Sequence, residues 1–172
     1  MTPGGGGAAP EDTAARAVRL LTAARLTVAT CESLTAGLVA ATLASVPGAS
    51  AVLRGGLITY ATDAKHTLAC VDADLLARRG AVDPDVAAQM ARGARLACGA
   101  SIGLSCTGVA GPDPQDGMPV GTVFLALDRG DLDREDSAPI VQRLALAGDR
   151  ETIRRDTVEA GLRLLLAALP AD

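Results

Sequence analysis

An α/β domain of three layers, with helices on both faces of a mixed sheet of about five strands, is predicted by three features of this sequence. Short apolar runs alternate with amphipathic stretches of helical period along most of its 172 residues. Glycine, proline and helix-capping residues fall between those runs rather than inside them. The length suits a single core that needs no disulfide or metal staple.

The elements follow in order. Residues 1–10, a glycine run with Ala and Pro, read as a disordered tail ahead of one domain over residues 11–172. From Glu11 to Arg25, Ala14, Ala17, Val18 and Leu21 recur at helical spacing. Leu26 to Thr30 reads as a buried strand, and Ser33 or Thr35 can cap a second helix that Pro47-Gly48 stops after about Ser45. A second strand spans Val52 to Tyr60, and the turn after it leads into a short helix carrying Lys65. Ala73 to Arg79 makes another short helix, and Asp83-Pro84 starts a longer one that ends at Gly99. Ser101 to Cys106 is the third strand. The loop from Thr107 to Pro119 is too rich in Gly and Pro for regular structure, and long ordered loops are usually functional. Val120 to Leu127 and Ile140 to Leu146 are strands four and five, and Asp149 to Leu169 closes the chain as a helix. The direct step between the last two strands, near residue 130, predicts one antiparallel pair.

Composition excludes several functions. A formal charge of -4 and the lack of a basic stripe argue against nucleic acid, whose binding needs Lys and Arg on phosphates. No apolar run approaches the roughly 20 residues of a membrane span, and no signal peptide is evident, so a cytoplasmic protein is expected. The cysteines, Cys31, Cys70, Cys98 and Cys106, lack paired metal-ligand spacing and read as reduced core thiols. No metal or cofactor is expected.

Chemistry enters with lysine. Of sixteen basic residues only Lys65 is not arginine, and a guanidinium cannot accept a proton in a protein. Lys65 follows the sole tyrosine, Tyr60, at the end of an apolar strand, where partial burial would depress an amine pKa. Ser33 lies at a strand-to-helix junction whose unpaired N–H groups suit an oxyanion or a phosphate. A desolvated lysine can replace histidine as the base for such a serine, although serine at this position is ordinarily a helix cap. His66, the only histidine, reads as a surface residue. Glu32 is expected to be paired or near solvent, orienting Lys65 or capping a turn. The glycines of Thr107-Gly108 and Gly111-Pro112 allow close backbone approach to a ligand but carry little weight alone.

Five ordered motifs carry a family resemblance. They are Glu32-Ser33-x-Thr35-x-Gly37, Arg54-Gly55-Gly56-x-Ile58-x-Tyr60 with Ala64-Lys65, Thr107-Gly108-x-Ala110-Gly111-Pro112, Val120-Gly121-Thr122-Val123, and Gly148-Asp149-Arg150-x-x-Ile153-Arg154. With them the chain, from about Arg25 to Leu166, resembles the CinA C-terminal domain family, whose stand-alone members include nicotinamide mononucleotide deamidases. The resemblance implies a mixed α/β/α sheet, attack by Ser33 on a carboxamide, and Lys65 and Tyr60 as its proton-handling partners. Thr35, Gly37, Thr107, Gly108 and Arg150 would bind the nucleotide substrate, and a homodimer is expected. The pattern departs from the family's usual one at Cys31, Leu34 and Ala36, where Ala, Cys and Gly are commoner. The larger two-domain relatives carry an amino-terminal domain for which these 172 residues have no room, so its activities are not expected here. Two other readings stay open: a non-catalytic nucleotide-binding or competence-associated protein, and an amidase for another small amide.

Overall fold

The computed structural model describes residues 12–130 and 138–170. The expected tail and the acidic turn before the last strand lie outside these residues. A five-stranded sheet of order β2-β1-β3-β4-β5 forms the middle layer, from β1 (Val28–Glu32), β2 (Leu53–Ile58), β3 (Ile102–Gly108), β4 (Thr122–Asp128) and β5 (Ile140–Ala145). One face carries α1 (Thr13–Ala24), α2 (Leu38–Ala44) and α6 (Arg150–Ala167), packed through Leu21, Leu43, Leu162 and Leu165. The other carries α3 (Thr62–Ala69), α4 (Ala73–Arg79) and α5 (Pro84–Cys98), packed through Val71, Val86 and Met90. The three layers are those expected. Among the described residues no helix is long and apolar enough to cross a membrane.

β1 is paired in parallel with both β2 and β3, whereas β3–β4 and β4–β5 are antiparallel. The sheet thus has two antiparallel pairs, one more than expected. The long loop after β3 reverses the chain without a crossover helix, and only a crossover would have made β4 parallel. From β1 the chain goes on to β2 on one side and from β3 to β4 on the other, so the carboxyl ends of β1 and β3 border a crevice of the kind that holds ligands in open α/β sheets.

A core with one phenylalanine and no tryptophan closes by bringing backbones together. A Cβ built on Gly93 of α5 would stand 2.1 Å from the Ala69 carbonyl oxygen of α3, and one on Gly103 of β3 would stand 1.9 Å from that of Ala91. Glycine at these two places lets α5 lie against both α3 and the sheet. Close packing of this kind draws α3, and Lys65 with it, onto the ends of the strands.

Boundaries moved where side chains from elsewhere decide them. β1 runs two residues beyond the expected Thr30, to Glu32, with all five of its residues buried. α2 starts at Leu38 after Gly37 and not at Ser33 or Thr35. The cysteines divide: Cys31 and Cys106 are buried, Cys98 is half-buried and Cys70 is exposed at the end of α3. Cys70 is therefore not a core thiol. It takes the left-handed conformation that ends the helix, with φ of 55°, which turns it out of the packed face.

Candidate active site

Ser33 follows directly on β1, with its amide donating to the Cys106 carbonyl of β3 at 3.0 Å. That bond extends the sheet by one residue and fixes the nucleophile candidate to the end of the central strand. The same amide is unavailable to an oxyanion. β2 ends alongside, where the Thr59 amide donates to the Glu32 carbonyl at 2.8 Å, and α3 begins after two more residues.

Lys65, on the inner face of α3, is the largest fully buried side chain among the described residues, at 1 % exposed. Its Nζ lies 3.1 Å from Ser33 Oγ and 2.7 Å from the Thr59 carbonyl oxygen, with the Tyr60 carbonyl oxygen at 3.5 Å. No carboxylate is paired with it among the described residues. Burial therefore decides its titration and lowers the amine from its ordinary value, against the smaller opposing influence of Cys31, Cys106 and Asp116. A neutral amine has two N–H groups and one lone pair. In the neutral form the two carbonyls would take the N–H groups and the lone pair would be left for the Ser33 hydroxyl.

The neighbouring thiols do not compete. Burial pushes Cys31 up to about 11 and Cys106 up to about 12, so neither is a thiolate near neutral pH.

Glu32 is buried, at 1 % exposed, yet does not approach Lys65. Its carboxylate accepts from the Thr35 hydroxyl at 2.7 Å and from the amides of Gly37, Val39 and Ala40 at 2.9, 3.0 and 2.8 Å. It is the cap of α2, and of the two roles expected for it the structure has this one. Thr35 and Gly37, expected to bind substrate, instead serve this carboxylate. Gly37, with φ of 95°, lets the chain turn into the helix around it. Removing the carboxylate in Glu32→Ala strips four donors of their partner, and bonds to a charged acceptor contribute about 1.5 to 3 kcal/mol each, not additively. A loss of about 3 kcal/mol is expected, which for a domain of this size lowers Tm by about 6 to 12 °C. A thermal melt within about 2 °C of the parent would refute the cap's importance.

The remaining expected residues separate into two groups. Thr107 is buried and donates its hydroxyl to the Ala81 carbonyl at 2.7 Å, away from the cleft. Gly108 does border the cleft, together with Ser33, Leu34, Tyr60 and Arg150. Its lack of a side chain serves the sheet, however, because a Cβ there would stand 2.6 Å from the Thr122 carbonyl oxygen of β4. Tyr60 is 55 % exposed, and its hydroxyl accepts from Arg150 Nη2 instead of facing Lys65. Only the Tyr60 backbone carbonyl approaches the amine. Arg150 also donates to the Gly111 carbonyl at 2.8 Å, tying the start of α6 to the glycine-rich loop. His66 is exposed, with Nδ1 2.8 Å from the Val71 carbonyl oxygen. Two contributors were given no role in the sequence: the Thr59 carbonyl, which carries no side-chain signal at all, and Arg154, which closes the fifth motif and lies one turn from Arg150 on α6.

Fold and site together define an α/β/α domain with a buried serine–lysine pair at the carboxyl end of its central strand. The chain belongs to the CinA C-terminal domain family, whose pattern matches residues 10–169. A CinA-like protein of Frankia casuarinae is 45% identical over 154 residues, covering 88% of this chain and 34% of that protein. One of Geobacter sulfurreducens is 46% identical over 145 residues, covering 84% and 34%. This chain thus spans about a third of the length of these curated relatives. Among solved structures, a competence/damage inducible protein from Agrobacterium tumefaciens superposes with a TM-score of 0.83 at 35% identity, covering 90% of this chain and 92% of that one. A CinA superfamily protein from Escherichia coli gives 0.84 at 30% identity, covering 91% and 88%.

Proposed function

We propose that this protein is an amidohydrolase that deamidates nicotinamide mononucleotide, with Ser33 as nucleophile and Lys65 as general base. One observation carries the proposal: the only lysine is fully buried, unpaired by any described carboxylate, and 3.1 Å from a serine hydroxyl that borders a cleft. A binding protein has no use for that arrangement, since an amine buried without a counter-ion costs stability.

In the reaction Lys65 Nζ takes the hydroxyl proton as Ser33 Oγ attacks the carboxamide carbon. The tetrahedral intermediate collapses with cleavage of the C–N bond, and Lys65 returns the proton to the departing ammonia. Water then attacks the acyl-enzyme, giving its proton to Lys65, which passes it to Ser33 Oγ as the acyl C–O bond breaks and nicotinate mononucleotide leaves. The Thr59 carbonyl holds the amine in place throughout. Arg150, at the mouth of the cleft, supplies positive charge for the nucleotide phosphate.

Ammonia release measured with nicotinamide mononucleotide, nicotinamide, NAD and simple amides tests the proposal. Turnover is expected to be greatest with the mononucleotide. Turnover greatest with another amide would move the substrate and keep the chemistry, and no ammonia from any of them would end the proposal.

A further inference from the structure

Arg154, one turn along α6 from Arg150, reaches across to the loop that follows Ser33. Its Nε donates to the Leu34 carbonyl at 3.0 Å and its Nη2 to the Thr35 carbonyl at 3.1 Å. The same loop is held elsewhere by the Glu32 carboxylate, which takes amides from Gly37 onward. A carboxylate thus gathers N–H groups, and a guanidinium gathers carbonyls, on one short segment.

The consequence lies in the peptide planes. A trans peptide sets its N–H opposite its C=O, so an arginine that holds the Leu34 carbonyl turns the Thr35 N–H away from itself. The preceding plane is fixed because the Ser33 carbonyl accepts from the Ala36 amide at 3.1 Å, which turns the Leu34 N–H to the opposite side. Among the described residues the amides of Ser33 and Ala36 have acceptors, whereas those of Leu34 and Thr35 have none. Leu34 borders the cleft beside Ser33.

We infer that Arg154 is a positioning residue, which holds the Leu34–Thr35 and Thr35–Ala36 peptides by their carbonyls, so that the free amide of Thr35 directly, and that of Leu34 through the Ala36–Ser33 hydrogen bond, are set to receive the oxyanion formed at Ser33. The inference rests on the proposed Ser33 chemistry. Arg154 touches no reacting atom and acts through the backbone. Misplacement of reacting groups by about 1 Å costs about 10²-fold in rate, and the loss falls on kcat.

The experiment compares wild type, Arg154→Ala and Arg154→Lys in two assays. One is steady-state amide turnover. The other is the labelling rate of Ser33 by a fluorophosphonate, in which the Oγ–P bond forms, the P–F bond breaks, fluoride departs and the hydroxyl proton passes to Lys65. For Arg154→Ala both kcat and the labelling rate are expected to fall about 10²-fold, with KM changed by less than about threefold. The acidic limb of the pH profile should stay in place, because Lys65 is untouched. Arg154→Lys should fall between the two, since one ammonium cannot span two carbonyls as a planar fork does. If Arg154→Ala does not fold, Arg154→Lys and Arg154→Gln carry the comparison. Labelling and kcat within about threefold of wild type would overturn the inference, as would a raised KM at unchanged kcat, the mark of a substrate anchor. Wild type that is labelled at Ser33 but releases no ammonia ends the amidohydrolase proposal while leaving Ser33 a nucleophile, and the labelling rates still decide Arg154. Wild type that is not labelled at all overturns the nucleophile and this inference together.

Discussion

Replacing Ser33 with alanine should lower amide turnover by about 10⁴-fold or more while leaving fold and substrate affinity in place. The substitution removes the one atom that attacks and almost nothing else. The Ser33 backbone stays joined to Cys106 and Ala36, because both of those bonds are made by main-chain atoms. Lys65 keeps its bond to the Thr59 carbonyl, so the buried amine retains its seat. Calorimetry with the product mononucleotide should return an affinity near that of wild type, and a melt should show little change. Near-normal turnover in Ser33→Ala would show that the nucleophile has been misassigned. A thiol could not inherit the role in that event, given how far burial raises Cys31 and Cys106.

Lys65→Arg separates a base from a mere positive charge. Arginine keeps the cation and nearly the length but cannot accept a proton near neutral pH, so kcat should fall by about 10² to 10⁴-fold. An anchor for a phosphate would behave in the opposite way, since a guanidinium binds an anion at least as well as an ammonium. The pH profile gives an independent measure, and its sign follows from burial. The folded state disfavours the charged amine, which lowers the pKa, and the neutral form is the active base. kcat/KM should therefore rise with pH through a limb below the ordinary lysine value of about 10.4. A Lys65→Arg enzyme with wild-type kcat and an unchanged acidic limb would remove Lys65 as the base.

The parts of this protein that were legible in its sequence are those whose cause is local. Asp72 and Asp83 cap α4 and α5 through their own side chains, Pro84 sits in the first turn of α5, and Gly99 ends it in the left-handed conformation. Each of those residues acts within a few positions of itself, and the two helices lie where the sequence puts them. Glu32 is the contrary case. A carboxylate beside an apolar run reads as paired or near solvent, orienting Lys65 or capping a turn, and only the amides of Gly37, Val39 and Ala40 with the Thr35 hydroxyl show which, and make its burial tolerable. The true end of β1 and the true start of α2 therefore had to be found together. The antiparallel pairing of β3 with β4 was hidden for a related reason, since a loop's length does not state which way its chain returns. Within the site, the approach of Lys65 to Ser33 was anticipated from residue types, because no other residue of the sequence offers a proton-accepting amine side chain. Tyr60 shows where such reasoning stops. It lies in the short link between β2 and the helix of Lys65, but its phenol accepts from Arg150 and only its backbone carbonyl approaches the amine.

The exposed position of Tyr60 has an optical consequence. With no tryptophan and a single tyrosine in 172 residues, the intrinsic fluorescence of this protein arises from one phenol at the mouth of the cleft, hydrogen-bonded to Arg150. Tyrosine emission from the folded molecule thus originates where a ligand would settle, and the hydrophobic interior, whose one aromatic ring is the weakly emitting Phe124, adds little to it. A pyridine ring stacked on that phenol would quench nearly the whole signal, whereas rearrangements of the apolar layers would leave it dark to the spectrometer.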